Sequence, residues 1–277
     1  MCQYERQLSR ILVAMLVSSS ALEITAILSE YCREKKIGTQ VYSFDSCGST
    51  NTEALNLAKN GAPHGTVVSS LSQQFGRGRR GKSWESEIGN VAFSLILRPN
   101  IAVSQAYRFT FIAALCVVRA LEKFGLNASI KWPNDVLLYN KEGQKRKVCG
   151  ILVESSSSST MLNSLIIGIG INVASSPQGD NFPIAPGHLQ QWADVSSLDL
   201  IKALIDELDR LVDMAQSDEQ FAILLAAYRR QCVSINESIK FNAHSIEVQG
   251  KAVDVLFDGA LLVELSNGQT KKIYSVA

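Results

Sequence analysis

The sequence predicts an α/β protein with a larger domain of strands and helices and a small all-β domain at the C-terminus. Short apolar strands alternate with longer helical segments between residues 41 and 232. After Val233 the helical pattern gives way to short alternating segments. Two helical segments precede the first strand. We therefore predict an N-terminal helical extension (1–40), a main domain (41–232) and a C-terminal domain (233–277).

In the N-terminal extension the helical segments span about 5–17 and 21–35 and are broken by a serine run. Strands of the main domain are predicted at 41–44, 66–72, 91–97, 129–132, 136–139, 148–154 and 162–173. Its helices are predicted at about 50–60, 105–124, 196–215 and 217–230. Thr50 or Asn51 is the expected cap of the first of these helices and Ser104 of the second. The serine run 155–160 is interpreted as a hairpin loop, and 174–192 as a loop rich in proline and glycine.

The C-terminal domain is predicted from strand length and turn chemistry. Five short strands are expected, at 239–241, 246–248, 252–257, 261–265 and 272–274. Asp258-Gly259 and Asn267-Gly268 are strong signals for hairpin turns. Five short strands in so few residues favour a small β-barrel.

Composition and charge narrow the classes of function. The chain has 277 residues, of which 46% are hydrophobic, and a formal net charge of +1. Near-neutrality argues against a general nucleic-acid binder. The two N-terminal helices raise the possibility of a helix-turn-helix, but Glu23 and Glu30 lie where such a recognition helix needs groups for DNA. We therefore expect no DNA partner. Positive charge is instead clustered at 77–82 and 141–147, which favours a small anionic ligand.

The cysteines and apolar segments predict a cytoplasmic protein. The six cysteines form no C-x-x-C pair and no histidine stands at metal-ligand spacing from them, which is typical of scattered reduced thiols. No apolar run reaches the roughly 18 residues needed to cross a bilayer. Residues 11–21 loosely resemble a signal peptide, but the apolar stretch is short and Glu5 precedes it. A short amphipathic or buried helix is the preferred interpretation, without membrane association.

The most informative segment is the loop Gly76-Arg77-Gly78-Arg79-Arg80-Gly81. It formally matches G-x-G-x-x-G, but the dinucleotide-binding form of that motif opens a helix. Residues 82–90 lack a helical apolar stripe and lead into another strand, and no Gly-Lys-Ser/Thr ending makes the loop a phosphate-binding P-loop. The glycines allow close approach of the backbone to a ligand. With Lys82, the loop places four cations in six residues; we expect it to be mobile until anionic oxygens order it.

Three further segments carry candidate ligand-binding residues. Lys131-Trp132-Pro133-Asn134-Asp135 is a rigid turn between two strands, where the lysine can meet a phosphate and Asp135 a magnesium ion or an adenosine hydroxyl. Ordinary turn chemistry also explains Pro-Asn-Asp. Lys147 begins a buried strand three residues before Gly150. Gly168-Ile169-Gly170-Ile171-Asn172 ends another strand, and glycines inside a strand often mark close approach of a ligand.

Taken together, these segments resemble the biotin–protein ligase family. The resemblance covers roughly residues 41–277 and passes in order through 49–51, Gln73, the loop 76–81 with Trp84, 131–135, 147–151, 168–172 and the turn at Asp258-Gly259. It implies an α/β (α+β) catalytic domain with a mixed β-sheet flanked by helices, followed by a small SH3-like β-barrel. The implied activity uses ATP and Mg²⁺ to convert biotin to biotinyl-5′-AMP. Biotin then passes to a lysine of the biotin carboxyl carrier protein of acetyl-CoA carboxylase or another biotin-dependent carboxylase.

The resemblance also implies residue roles. The residues that would surround biotin are Ser49, Thr50, Asn51, Gln73, Arg77, Gly78, Arg79, Lys147 and Gly150. Those that would line the ATP and adenylate side are Arg80, Trp84, Lys131, Asn134 and Asn172. The catalytic roles fall to Lys147, Arg79 and Asp135, with Asp135 also the candidate magnesium ligand and a candidate base.

The N-terminus departs from the larger bacterial members of the family. Those proteins carry a winged helix-turn-helix domain there, whereas the roughly 40 residues that precede the main domain here do not fit one. This favours a ligase without a repressor role. Three alternatives stay open: a lipoate or octanoate ligase of related fold, a biotin-responsive DNA-binding regulator and a non-catalytic biotin-binding protein. Homodimerisation through the main sheet is known in the family, and the sequence leaves it open here.

Overall fold

A computed structural model of the chain describes residues 20–275 except 159, 180, 244 and 245. The predicted helix 5–17 and most of the signal-peptide-like stretch therefore lie outside the described residues. Helix α1 (Ala21–Tyr31) begins with a capping box, in which the Ser20 and Glu23 side chains accept hydrogen bonds from each other's backbone N–H. The helix ends before the predicted residue 35. Beyond it, Asp209 accepts hydrogen bonds from the backbone N–H groups of Lys36 and Ile37, which fixes that segment in a non-helical course.

The main domain is built on one seven-stranded mixed sheet with the order β1-β2-β3-β7-β6-β5-β4. Strands β1 and β2 run parallel, and every other neighbouring pair runs antiparallel. The strands are β1 (Val41–Phe44), β2 (Thr66–Ser70), β3 (Val91–Leu97), β4 (Ser129–Lys131), β5 (Asp135–Tyr139), β6 (Lys145–Ser157) and β7 (Leu162–Ile171). The predicted mixed α/β architecture is confirmed.

Helices cover both faces of this sheet. They are α2 (Thr50–Lys59), α3 (Tyr107–Glu122), α4 (Ser197–Leu211) and α5 (Asp218–Gln231). Side chains of β3 point alternately to the two faces of the sheet. Phe93 and Leu95 pack in the core on the face covered by α3 to α5, while Ile96 packs with Ala54 and Ala58 of α2 on the other face. Ser94 lies on the same face of β3 as Ile96 and is fully buried. The first turn of α2 is thereby placed directly over the middle of the sheet.

Several predicted boundaries were wrong for local reasons. Ser49, not Thr50 or Asn51, occupies the cap position of α2 and makes no capping hydrogen bond. Ser104 does not cap α3, because a 3₁₀ turn (Val103–Gln105) precedes that helix. Strand β6 continues to Ser157, so half of the serine run is strand rather than loop.

The C-terminal residues form a four-stranded antiparallel sheet in the part of the chain that the structure describes. Its strands are β8 (Ser238–Ala243), β9 (Ile246–Val255), β10 (Leu261–Leu265) and β11 (Thr270–Ile273), in the order β11-β10-β9-β8. The two hairpin turns occur as predicted, with Gly259 and Gly268 at φ of +84° and +78°. The prediction of five strands was wrong, because the predicted strands 246–248 and 252–257 are joined in the single strand β9, which ends at Val255.

The described residues contain no helix that is long and apolar enough to cross a membrane. The five described cysteines, Cys32, Cys47, Cys116, Cys149 and Cys232, are buried free thiols. Burial raises the pKa of the Cys32 thiol to about 11. These thiols therefore behave as small apolar core residues rather than as nucleophiles.

Candidate functional site

A cavity of about 300 Å³ lies against strands β6 and β7, beneath the arginine-glycine loop. It brings together every residue that the sequence singled out as a site residue. Those residues are Ser49, Thr50, Asn51, Gln73, Arg77, Gly78, Arg79, Arg80, Trp84, Lys131, Asn134, Asp135, Lys147, Gly150 and Asn172. Segments far apart in the chain thus form one site.

Three strand glycines form the floor of the cavity. A Cβ atom on Gly170 would lie 2.3 Å from Trp84 Nε1, and one on Gly150 would lie 2.8 Å from the same indole ring. A Cβ atom on Gly168 would lie 2.1 Å from Asn51 Oδ1. Side chains of the site thus occupy the space that the missing Cβ atoms leave. Close approach of a ligand at Gly168 and Gly170 stays a prediction.

One end of the cavity is a network of neutral polar groups at the start of α2. Gln73 Oε1 accepts a hydrogen bond from the Thr50 backbone N–H at 2.8 Å. The Ser94 hydroxyl lies 2.8 Å from Thr50 Oγ1 and 2.7 Å from Asn51 Oδ1. Ser49, Thr50 and Asn51 are all buried. Such groups in fixed orientations suit a small neutral heterocycle that both donates and accepts hydrogen bonds.

Ser94 was not predicted from the sequence. The sequence does contain an indication of its role, because Ser94 is the single polar residue of the otherwise apolar strand Val91–Leu97. A buried hydroxyl in a central strand needs a hydrogen-bond partner. Here the partners are two predicted site residues, which makes Ser94 part of the same network.

The arginine-glycine loop closes on itself and on the sheet. Its backbone is bridged from Gly78 N to Lys82 O at 2.7 Å and from Trp84 N to Gly76 O at 2.8 Å. Only a short 3₁₀ turn (Arg79–Gly81) follows the strand, so no dinucleotide-type helix begins here. Arg77 pairs with Glu154, which offsets part of the repulsion among the loop cations. That the unliganded loop is mobile stays a prediction.

The opposite end of the cavity is cationic. Lys147 Nζ lies 2.6 Å from Asp135 Oδ1 and 5.6 Å from the centre of a Trp84 ring. Burial lowers the pKa of Lys131, and burial followed by the charge of Arg80 lowers the pKa of Arg79. Cations that have lost water in this way are stabilised by anionic oxygens. This end therefore suits phosphate or carboxylate groups.

The residues present also bear on magnesium binding. No cluster of three or more histidine, cysteine, aspartate or glutamate side chains within the described residues is placed to hold a metal ion. Mg²⁺ at phosphate sites, however, is commonly held by one or two carboxylates together with the phosphates of the substrate. Asp135 is a carboxylate in the cationic end, so the site fits an ion that arrives with a nucleotide.

The turn 131–135 is held rigidly from several directions. Tyr228 donates its hydroxyl to Pro133 O at 3.0 Å, and Trp132 Nε1 donates to Gly259 O at 3.2 Å. The Trp132 backbone N–H donates to Ser234 Oγ at 3.0 Å. Helix α5 and the C-terminal sheet thus both position the turn that carries Asp135.

Removing the Tyr228 hydroxyl is expected to destabilise the fold. Tyr228 is fully buried, so Tyr228→Phe leaves Pro133 O without its donor and should lower the free energy of unfolding by about 1–3 kcal/mol. Urea denaturation checks this. The control is Tyr139→Phe, because Tyr139 is 37% exposed. Equal stability of the two variants would contradict the role given to the Tyr228 hydroxyl.

Asn172 presents an unused acceptor. Its Nδ2 donates to Gly187 O at 3.1 Å, whereas its buried Oδ1 has no hydrogen-bond partner among the residues that the structure describes. A buried acceptor without a donor is costly. Because Asn172 lines the cavity, its Oδ1 suits an N–H donor of a ligand, such as an exocyclic amine.

Residues 174–192 form a wall of the cavity that sequence reasoning missed. We interpreted this segment only as a loop. Pro177, Phe182, Ile184 and Pro186 line the cavity. The segment is joined to β6 by hydrogen bonds from Lys147 N to Ala185 O and from Gly187 N to Lys147 O, at 2.9 and 3.0 Å. The length of the segment could have indicated a role in the site, since long loops in compact domains are usually functional.

Comparisons with known proteins match this architecture. A model of the biotin/lipoate A/B protein ligase family matches residues 43–172, and a model of the biotin protein ligase C-terminal domain matches residues 234–275. The bifunctional ligase/repressor BirA of Bacillus subtilis is 33% identical over 253 residues, which cover 86% of this chain and 73% of that protein. A biotin–[acetyl-CoA-carboxylase] ligase of Paracoccus denitrificans is 42% identical over 145 residues, covering 50% of this chain and 56% of that protein.

A solved structure is similar over most of the chain. The biotin protein ligase from Aquifex aeolicus in complex with biotin and ATP aligns with a TM-score of 0.70 at 25% identity. The alignment covers 86% of this chain and 97% of that one. The similarity therefore includes both the main domain and the C-terminal sheet.

Proposed function

Because this chain belongs to the biotin protein ligase family, we propose that it activates biotin with ATP and transfers it to a carrier protein. The products of the first step are biotinyl-5′-AMP and pyrophosphate. In the second step a lysine amine of the biotin carboxyl carrier protein of acetyl-CoA carboxylase, or of another biotin-dependent carboxylase, attacks the acyl carbon of biotinyl-5′-AMP. An amide bond forms and AMP leaves. The observation that carries this proposal is a single cavity with a neutral polar end and a cationic end.

The neutral end would hold the biotin ring system. The ureido group of biotin has two N–H donors and one carbonyl acceptor, which complement the groups of Ser49, Thr50, Asn51 and Gln73. Gly150 would lie beside the ring, and Trp84, which closely approaches Gly150, would help form the adjoining adenylate pocket. The valeryl chain of biotin would then run toward Lys147.

The cationic end would hold the reacting groups. Attack of the biotin carboxylate on the α-phosphate brings two anions together and increases charge on the phosphate oxygens. Lys147 and Arg79 are preorganised cations there, and such electrostatic stabilisation is commonly worth several kcal/mol. Lys131, Arg80 and Asn134 would bind the phosphates, and Asn172 Oδ1 would accept from the adenine amine. Bound Mg²⁺ supplies further charge neutralisation at the phosphates.

The second step needs exclusion of water and a neutral amine. Arg77 and Gly78 belong to the loop that would cover the mixed anhydride and keep water from it. The acceptor lysine has a pKa of about 10.4 in water and must lose a proton before it attacks. Asp135 is our proposed base. The Asp135 carboxylate forms an ion pair with Lys147. This ion pair must break before Asp135 can accept the proton of the acceptor lysine.

The organisation of the chain is also part of the proposal. The C-terminal domain match begins at residue 234, which supports a boundary near 232. That the C-terminal sheet belongs to an SH3-like barrel stays a proposal from the family resemblance. We propose that residues 1–40 are an extension separate from the main domain. We also propose that the protein is located in the cytoplasm. Homodimerisation stays open. Absence of a repressor role stays a prediction, since the Bacillus subtilis relative is named a ligase/repressor and residues 1–19 lie outside the described part.

Biotin-dependent ATP–pyrophosphate exchange tests the proposal. Biotin is expected to support exchange, whereas lipoate and octanoate are not. When a biotin carboxyl carrier protein is added to the reaction, mass spectrometry should show that its mass increases by one biotinyl group. Exchange with lipoate or octanoate but not with biotin would replace the proposed substrate. Biotin binding without any exchange would indicate a non-catalytic biotin-binding protein.

A further inference from the structure

Glu154, near the end of strand β6, has no role in the proposed function, yet its carboxylate joins two parts of the site. Arg77 Nη1 donates to Glu154 Oε1 at 3.0 Å, and Arg77 Nη2 donates to Oε2 at 2.6 Å. Asn51 Nδ2 donates to Oε2 at 2.8 Å. One carboxylate therefore holds both an arginine of the loop and an amide of the neutral polar end.

The contact with Asn51 fixes the orientation of its amide. The two hydrogens of Asn51 Nδ2 are directed to Glu154 and to Leu152 O, and Asn51 Oδ1 faces the Ser94 hydroxyl. A flipped amide would point its oxygen at a carboxylate, which is repulsive. Asn51 is therefore held with its oxygen as the group that a ligand N–H can reach.

The contact with Arg77 fixes the loop. Arg77 binds Glu154 of β6, while Arg79 donates at 3.1 Å to Asn134 Oδ1 in the turn that precedes β5. Two arginine contacts thus hold the loop at two separate points of the site. A bidentate arginine–carboxylate pair is geometrically specific and stronger than a simple ion pair.

The Arg77 side chain is 40% exposed, so it is the link to Asn51 that distinguishes this contact from an ordinary surface ion pair. Exposed pairs contribute little to stability because water and salt screen them. The Glu154 side chain is 25% exposed, and its Oε2 atom is shared with Asn51, which is 4% exposed. The carboxylate is therefore tied into the buried network of the site.

We propose that Glu154 is a positioning residue that couples the biotin-reading amide of Asn51 to the arginine-glycine loop. The proposal rests on the proposed function in that it takes biotin as the ligand of Asn51. Glu154 touches neither reacting group. It lowers the fraction of open loop in the unliganded protein without abolishing the motion of the loop, and it holds the Asn51 amide in its binding orientation before biotin arrives.

The first measurement of the test does not depend on catalysis. Arg77, Arg79, Arg80 and Lys82 make the loop a trypsin substrate whenever it opens. Glu154→Gln keeps the size of the side chain but removes its charge. We expect trypsin to cut the loop of this variant, without ligands, about tenfold faster than the wild-type loop, since native-state cleavage follows the open population. Glu264→Gln, the same exchange at an exposed position of β10, is the control and should be cut at the wild-type rate.

The second measurement separates positioning from general destabilisation. In ATP–pyrophosphate exchange, Glu154→Gln should raise the KM for biotin about tenfold and leave the KM for ATP within about twofold. Asn51 and Arg77, both assigned to biotin, bind Glu154 directly, whereas Lys131, Asn134 and Asn172 of the ATP end lie outside the loop. A variant that is merely less stable would raise trypsin cleavage throughout the chain and shift neither KM selectively. Glu264→Gln should retain both KM values.

Arg77→Lys keeps the proposal testable if Glu154→Gln fails to fold. It preserves the charge and the cleavage site but cannot form two parallel hydrogen bonds, so it should also be cut faster. Wild-type loop cleavage together with a wild-type biotin KM in Glu154→Gln would overturn the proposal, and so would unchanged loop cleavage in Arg77→Lys. Absence of biotin-dependent exchange in the wild type would instead refute the proposed function, while the cleavage measurements would still decide the role of Glu154 in the loop.

Discussion

Lys147→Ala is expected to lower the rate of biotin-dependent ATP–pyrophosphate exchange by about 10²–10³-fold, the usual effect of removing one preorganised electrostatic group from an acyl-transfer site. Lys147 is the cation that faces Asp135 in the cationic end of the cavity. Without it, the biotin carboxylate and the α-phosphate would repel each other with less compensation. The barrier to adenylate formation should therefore rise more than the affinity for either substrate falls, so kcat is expected to change more than KM.

The matched control is Lys145→Ala on the same strand. Lys145 pairs with Glu237 at 2.8 Å and does not line the cavity. Its removal also deletes one positive charge, so it tests whether net charge alone explains the effect. Near-normal exchange by Lys147→Ala, or an equal loss in Lys145→Ala, would remove Lys147 from its proposed role.

Gly168→Ala is expected to weaken biotin binding by about 100-fold, because overpacking at a closely packed position displaces the groups around it. The new methyl group would lie 2.1 Å from Asn51 Oδ1. Asn51 cannot yield without breaking its hydrogen bonds to Ser94 and Glu154. The amide that the proposal assigns to biotin would leave its position. Isothermal titration calorimetry with biotin measures the loss directly.

Gly48→Ala serves as the control for this substitution. It lies next to the same helix, but a methyl group there would come no closer than 3.9 Å to the Phe75 ring. Biotin affinity should be retained in that variant. If Gly168→Ala binds biotin as tightly as the wild type does, Asn51 is not the group that recognises biotin.

The sequence was most informative where local chemistry decides the structure. The arginine-glycine loop, the Lys131–Asp135 turn and the two hairpin glycines each carry enough information in a few residues to be recognised. The resemblance of these segments to one family then supplied the residue roles. The cavity confirms that the fold assembles those residues in one place, while their individual roles await the experiments above.

The sequence was least informative where packing decides the structure. Gly250 lies between the predicted strands 246–248 and 252–257, yet in the structure it is inside β9. A Cβ atom there would come within 2.5 Å of the Val263 side chain, so the glycine serves a close strand contact rather than a turn. Glu154 gave no local signal either, because its partners Arg77 and Asn51 are 77 and 103 residues away in the chain.

The hydrogen bonds from Trp132 to Gly259 and Ser234 limit how freely the two parts of this protein can be recombined. An exchange of residues 233–277 with those of a relative would replace the acceptors that hold the turn preceding Asp135. A chimaera would be expected to work only when the incoming module offers a carbonyl and a hydroxyl at these same points. The C-terminal domain is therefore not expected to be freely exchangeable between relatives. Substitutions in the β9–β10 hairpin and in the Trp-Pro-Asn-Asp turn should therefore covary among relatives.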